Sequence, residues 1–184
     1  MNVKEYQQFL KNKLSSIYNG DKICVEWRTK LLKGTYSPRV DVAIGPFAIE
    51  DRYENQYNQL HDDYKIKKII HALYNFHCIN LEIEQSQQFS ENLKYFNSNA
   101  RCFMGIEIEN NVSSKHLMGG IINVSALSRI GILVPWNLKK YELSKRMIKY
   151  FEFLKRAEKN SFETKNVLIV KQDQLLSAIN STTN

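Results

Sequence analysis

Glu107 and Glu109 stand one residue apart in Gly105-Ile106-Glu107-Ile108-Glu109-Asn110, directly after the apolar run Cys102-Phe103-Met104. Successive side chains of a β-strand point to opposite faces, so this spacing sets both carboxylates on one face, about 7 Å apart, with Ile106 and Ile108 on the other. Like charges so placed repel, and losing water makes them costlier. The remedies are a metal ion, a basic partner or open solvent. Asp41 sharpens the choice. In Arg39-Val40-Asp41-Val42-Ala43-Ile44-Gly45 the apolar residues Val40, Val42 and Ile44 share one face and Asp41 takes the other. If this strand neighbours the glutamate strand, Asp41, Glu107 and Glu109 converge on one side of a sheet as ligands for a hard divalent cation such as Mg2+ or Mn2+. Such a cation lowers the pKa of a bound water and neutralises charge developing on a phosphoryl group.

The elements that must position these residues follow from periodicity. Tyr6, Leu10, Leu14, Ile17 and Tyr18 predict an opening helix over 3–18, stopped by Asn19-Gly20. Ile23 to Trp27 and Arg39 to Gly45 read as a hairpin around the Lys33-Gly34 turn, ended by Pro46. Leu60, Ile66, Ile69, Ile70, Leu73 and Phe76 form the stripe of one long helix or two over 52–77, and the polar stretch up to Ala100 reads as partly irregular. Strand Arg101 to Glu109, helix Lys115 to Arg129, strand Gly131 to Trp136, helix Lys139 to Lys159, strand Asn166 to Lys171 and helix Asp173 to Ile179 complete the chain. Strands alternating with helices imply parallel pairing, so the expected class is α/β, a central mixed β-sheet flanked by helices.

Composition narrows the function classes. A chain of 184 residues suits one well-cored domain, 1–184. It has no apolar run long enough to span a bilayer and no signal-peptide core behind Met1, so a cytoplasmic protein without membrane partners is expected. Cys24, Cys78 and Cys102 are widely spaced among apolar residues, which suits reduced thiols rather than a disulfide frame. Neither CxxC nor HxxxH occurs, Ser125 lacks the glycine-flanked elbow of a hydrolase nucleophile, and there is no phosphate-binding glycine loop. Net charge is +7, and Lys139 to Lys159 holds eight Lys or Arg against three Glu. That balance favours a polyanionic partner, or else marks the wet face of an amphipathic helix.

An acidic residue on a hairpin strand, an acidic-x-acidic triplet on the next strand, a helix and then a buried strand resemble the PD-(D/E)XK nuclease superfamily, which includes many type II restriction endonucleases. The resemblance covers Ile23 to Trp136. It implies a restriction endonuclease-like fold and a Mg2+-dependent endonuclease that hydrolyses DNA phosphodiester bonds, with Asp41 and Glu107 as metal ligands. The third motif position, usually lysine, is Glu109 here, which would orient or deprotonate the attacking water; Lys115 could supply the missing ammonium, or His116 could activate water. Pro38 precedes Asp41 by three residues rather than one, and the long separation of Asp41 from Glu107 makes 50–98 a largely helical insertion. Glu26 and Glu5 are further acids that could join the cluster. The triplet Glu82-Ile83-Glu84 is a rival that lacks the helix and apolar strand behind it. Arg39, Arg129, Lys139, Lys140, Lys145 and Arg146 are expected to face the DNA backbone. Cleavage of both strands would need a homodimer or a partner subunit. The alternatives are a non-catalytic nucleic-acid-binding or assembly module on the same fold, and a protein-protein interaction domain using the basic helix.

Overall fold

Alternating apolar side chains in five segments build a five-stranded mixed sheet, and amphipathic segments between them supply helices for both of its faces. The computed structural model describes residues 1–18, 20–29, 36–111, 113–159 and 163–182. In chain order these form α1 (Val3–Leu14), β1 (Ile23–Arg28), β2 (Arg39–Ile44), α2 (Glu54–Asp62), α3 (Tyr64–Leu81), α4 (Gln87–Asn92), β3 (Cys102–Glu109), α5 (Ser114–Leu127), β4 (Ser128–Pro135), α6 (Leu138–Arg156), β5 (Val167–Ile169) and α7 (Gln172–Asn180). Asn19 and the Lys33-Gly34 turn lie outside the described residues.

The strands lie in the order β1-β2-β3-β4-β5. The first three form an antiparallel meander, whereas β3, β4 and β5 run parallel. Parallel neighbours need crossover helices, and α5 and α6 are those crossovers. On one face Ile106, Ile108, Ile130, Ile132, Val134 and Leu168 pack with α1, α3 and α7 through Tyr6, Leu10, Leu14, Ile70, Leu73 and Leu175. On the other, Leu133, Val167 and Ile169 meet Leu117, Ile121 and Val124 of α5 and Met147, Ile148 and Phe151 of α6. Among the described residues no helix is long and apolar enough to cross a membrane.

Three local details decide what stands where. An N-terminal capping box fixes α1: Asn2 accepts from the Glu5 N–H, and Glu5 accepts from the Asn2 N–H. At the far edge of the sheet, side chains of α3 satisfy β5: the Ile169 N–H donates to His77 Nδ1 at 3.0 Å, and Asn80 Nδ2 donates to the Ile169 carbonyl at 2.9 Å. That blunts an otherwise open strand edge. Gly105 lets α5 lie close on the sheet, because a Cβ there would stand 2.0 Å from Ser128 Oγ and 3.1 Å from Val124 Cγ2.

Two segments depart from the sequence expectation. The helix expected to reach Arg129 ends at Leu127, and Ser128 and Arg129 open β4, in which every residue is buried. The rival triplet is no strand at all: Leu81 ends α3 and Glu82 caps it in the left-handed conformation, φ 60°.

Candidate functional site

A cleft of about 850 Å3 opens beside the β1–β3 part of the sheet. Asp41, Glu107, Gln7 and Glu26 contribute to its wall, together with the cations Lys4, Arg28, Arg39 and Lys115 and with His116 and Gly120. The strand of Asp41 does neighbour that of Glu107, the condition on which the sequence placed the two together, and the reason lies in the register. Paired residues of β2 and β3 run from Ile44–Met104 to Val42–Ile106, so the next step sets Asp41 opposite Glu107. There the carboxylate of Asp41 takes a backbone donor: Oδ2 accepts the Ile108 N–H at 2.8 Å. Its other oxygen, Oδ1, accepts from Gln7 Nε2 of α1 at 3.0 Å, and the same amide donates to Glu26 Oε1 at 2.8 Å.

Gln7 was not legible as a site residue, although a signal existed. It lies on the buried stripe Tyr6, Gln7, Leu10, Leu14, a polar residue where apolar ones are expected, and it is only 3% exposed. Both hydrogens of its amide are used to bridge two carboxylates. Glu26, in contrast, does join the group. It holds a left-handed backbone, φ 53°, rare for a residue with a Cβ, and its second oxygen pairs with Arg39. Glu5 does not join, because its carboxylate caps α1.

Glu107 is the least satisfied group of the site. Its Oε2 is shut off from solvent and has no hydrogen-bond partner. A Cβ built on Gly120 would lie 3.2 Å from Glu107 Oε1, so the bare glycine of α5 is what leaves room for this side chain. Burial, followed by the charge of Asp41, holds the Glu107 carboxyl well above the usual carboxylate range. Asp41 is raised too, by burial in the first place and then by Glu26, with the Ile108 N–H, Arg39 and Gln7 pulling the other way.

A divalent cation suits this pair. Mg2+ uses one or two carboxylates and fills its remaining positions with water or substrate oxygens. Glu107 supplies an orphaned oxygen, and the charges that raise both carboxyl pKa values would be neutralised. The three-carboxylate convergence expected of Asp41, Glu107 and Glu109 is, however, not formed. Among the described residues no group of three or more His, Cys, Asp or Glu side chains is arranged to hold a metal ion. Glu109 is 2% exposed and does not line the cleft. Its Oε1 accepts the Asn111 N–H. Burial raises its carboxyl, against the Asn111 N–H, His116 and Lys140.

The expected DNA-facing cations separate into distinct environments. Arg39 and Lys115 line the cleft. Arg129 is fully buried, corrected from a surface role by the early start of β4; its Nη2 donates to Asn58 Oδ1 at 2.6 Å while Nε and Nη1 lack partners. Lys140 is 3% exposed, with its ammonium donating to the Asn111 carbonyl, so it braces the turn after β3 rather than facing solvent. Lys145 lies between Glu82 and Glu142, 3.7 Å from each, and over the Tyr141 ring. Lys139 and Arg146 are exposed on α6, which contributes nothing to the cleft.

Comparison with protein-family models, with curated proteins and with solved structures returned no match.

Proposed function

We propose that this protein is a metal-dependent endonuclease of the restriction endonuclease-like fold that hydrolyses DNA phosphodiester bonds. One observation carries the reading: an unpartnered, solvent-shielded carboxylate oxygen of Glu107 lies beside Asp41 in a cleft walled by Lys4, Arg28, Arg39 and Lys115. A negative centre inside a positive rim matches a phosphodiester bridged to a cation.

Asp41 and Glu107 would hold Mg2+ or Mn2+, which when bound supplies an acidified water and charge neutralisation at phosphorus. Gln7 fixes Asp41 by donating to Oδ1, leaving its remaining lone pairs for the ion. Lys115 and Arg39 neutralise the phosphate backbone at the cleft. Glu109, held by the Asn111 N–H, orients the turn into α5 and does not serve as the water-facing base. One such site cuts one strand, so duplex cleavage needs a homodimer or a partner subunit.

The test is nicking of supercoiled plasmid in Mg2+ and in Mn2+ by the purified protein, with Asp41→Asn and Glu107→Gln as comparisons. Metal-dependent nicking is expected, reduced at least a hundredfold in both variants. A second reading, a non-catalytic nucleic-acid-binding module, is favoured by Asp41 and Glu26 already having protein partners in Gln7, Ile108 and Arg39. Plasmid left intact in both metals, with salt-dependent DNA binding retained, would select it.

A further inference from the structure

The helix α6 carries seven Lys or Arg against two Glu, and its residues divide by face. Tyr141, Met147, Ile148 and Phe151 turn inward and pack in the cluster shared with α5 and the sheet. Two of its cations are engaged: Lys140 donates to the Asn111 carbonyl, and Lys145 sits between Glu82 and Glu142. On the outer face Lys139, Arg146, Lys149, Tyr150 and Phe153 recur at intervals of three, four and seven residues, so they form one stripe. From Lys139 to Phe153 it runs about 21 Å.

Nothing in the fold answers this stripe. Lys139, Arg146 and Lys149 are exposed and have no ion-pair or hydrogen-bond partner among the described residues. The acid that shares their face, Glu142, lies 3.7 Å from Lys145. Tyr150 is 46% and Phe153 56% exposed, so both rings offer free surface beside the cations. A second copy of this face is a poor partner, since it would set like charges against each other. A lipid surface takes a continuous apolar face, but Arg146 and Lys149 interrupt this one, and the apolar face of α6 lies against the core. Cations for phosphates interleaved with rings for bases are instead the two parts of a single-strand platform. A duplex would use the cations alone, because its bases are stacked on one another.

We infer that the outer face of α6 binds single-stranded nucleic acid, with Lys139, Arg146 and Lys149 neutralising phosphates while Tyr150 and Phe153 stack on unpaired bases. The stripe has room for about six phosphates at the roughly 3.4 Å rise of one strand. Because α6 contributes nothing to the cleft, the inference stands whether or not the cleft cuts DNA.

The probe is a fluorescent oligothymidylate of about 20 nucleotides, titrated with the full chain in EDTA and followed by anisotropy, with a duplex of the same length and vesicles of phosphatidylserine in phosphatidylcholine as comparisons. Saturation is expected below about 100 µM protein at about 50 mM NaCl, tighter than for the duplex and absent with the vesicles. Arg146→Glu combined with Lys149→Glu, both at exposed positions, should weaken it at least tenfold and flatten its salt dependence. Tyr150→Ala combined with Phe153→Ala should weaken it by about tenfold with the salt slope kept, and should erase the preference over duplex. Glu107→Gln should bind the oligonucleotide at least as tightly as wild type whether or not plasmid is nicked, which separates failure of this inference from failure of the nuclease reading. Absence of saturation by oligothymidylate, binding that survives the double charge reversal, a preference over duplex that survives loss of both rings, or binding to vesicles in place of the oligonucleotide overturns the inference.

Discussion

At the scale of single residues, Glu107 is the group with most to gain from a ligand. Its folded pKa is raised above the ordinary value of 4.5, by burial and by Asp41. An acid with a raised pKa contributes stability that is complete below its unfolded pKa and is lost as pH rises through the folded value. The protein without metal should therefore lose stability above about pH 4.5. Glu107→Gln should flatten that loss and raise the melting temperature at pH 8, while abolishing stabilisation by Mg2+. Thermal denaturation from pH 5 to 9, with and without Mg2+, checks both, and a Glu107→Gln curve parallel to wild type would refute the assignment. Metal binding should also release protons and tighten with pH. Arg129 poses a different residue-scale question, because a buried guanidinium with two unpartnered nitrogens is a poor source of stability. Arg129→Met should leave unfolding free energy within about 1 kcal/mol or increase it. A drop beyond about 3 kcal/mol by urea denaturation would reveal a partner that the Asn58 bond alone does not supply.

At the scale of elements, the candidate site is assembled by three pieces that meet only in space. The β2–β3 register brings Asp41 opposite Glu107, α1 delivers Gln7, and α5 leaves a gap at Gly120. Alanine is the better helix former by about 1 kcal/mol, so Gly120→Ala should change global stability little. Its Cβ would press on the Glu107 carboxyl, which must give by a few tenths of an ångström. The expected result is a melting temperature near wild type and a plasmid-nicking rate reduced about tenfold. A fully active Gly120→Ala would separate Glu107 from the chemistry. The order and type of these elements were readable from periodicity, because amphipathic stripes and strand alternation are local properties. The end of α5 was not. Ser128 and Arg129 continue the helical composition, and only pairing of Cys102 with Ser128 on the neighbouring strand decides that they belong to β4.

At the scale of the whole molecule, the basic excess is divided between a cleft and a helix that does not reach it. Lys4, Arg28, Arg39 and Lys115 surround the carboxylates, whereas α6 carries Lys139 and Arg146 elsewhere. If the cleft is the phosphate track, the logarithm of DNA affinity should fall linearly with that of salt concentration. Lys4→Ala combined with Lys115→Ala should then reduce the slope by roughly 0.9 for each phosphate no longer neutralised. Fluorescence anisotropy on a labelled duplex, across a salt range of about 50 to 300 mM NaCl, measures it. An unchanged slope would move the DNA track off this cleft.

The sequence by itself determined the α/β character, the helical faces and the strand faces on which Asp41 and Glu107 stand, because these follow from side-chain periods of about 2 and 3.6 residues, whereas the β2–β3 register set the two opposite each other. Tertiary structure alone decided the rest. It brought Gln7 and Glu26 across 34 and 15 residues of chain to Asp41, turned Glu109 inward and buried Arg129 and Lys140. The polar break at Gln7 in the α1 stripe is the one local trace of those outcomes, since each depends on which neighbour removes water from the charge and which donor takes its place.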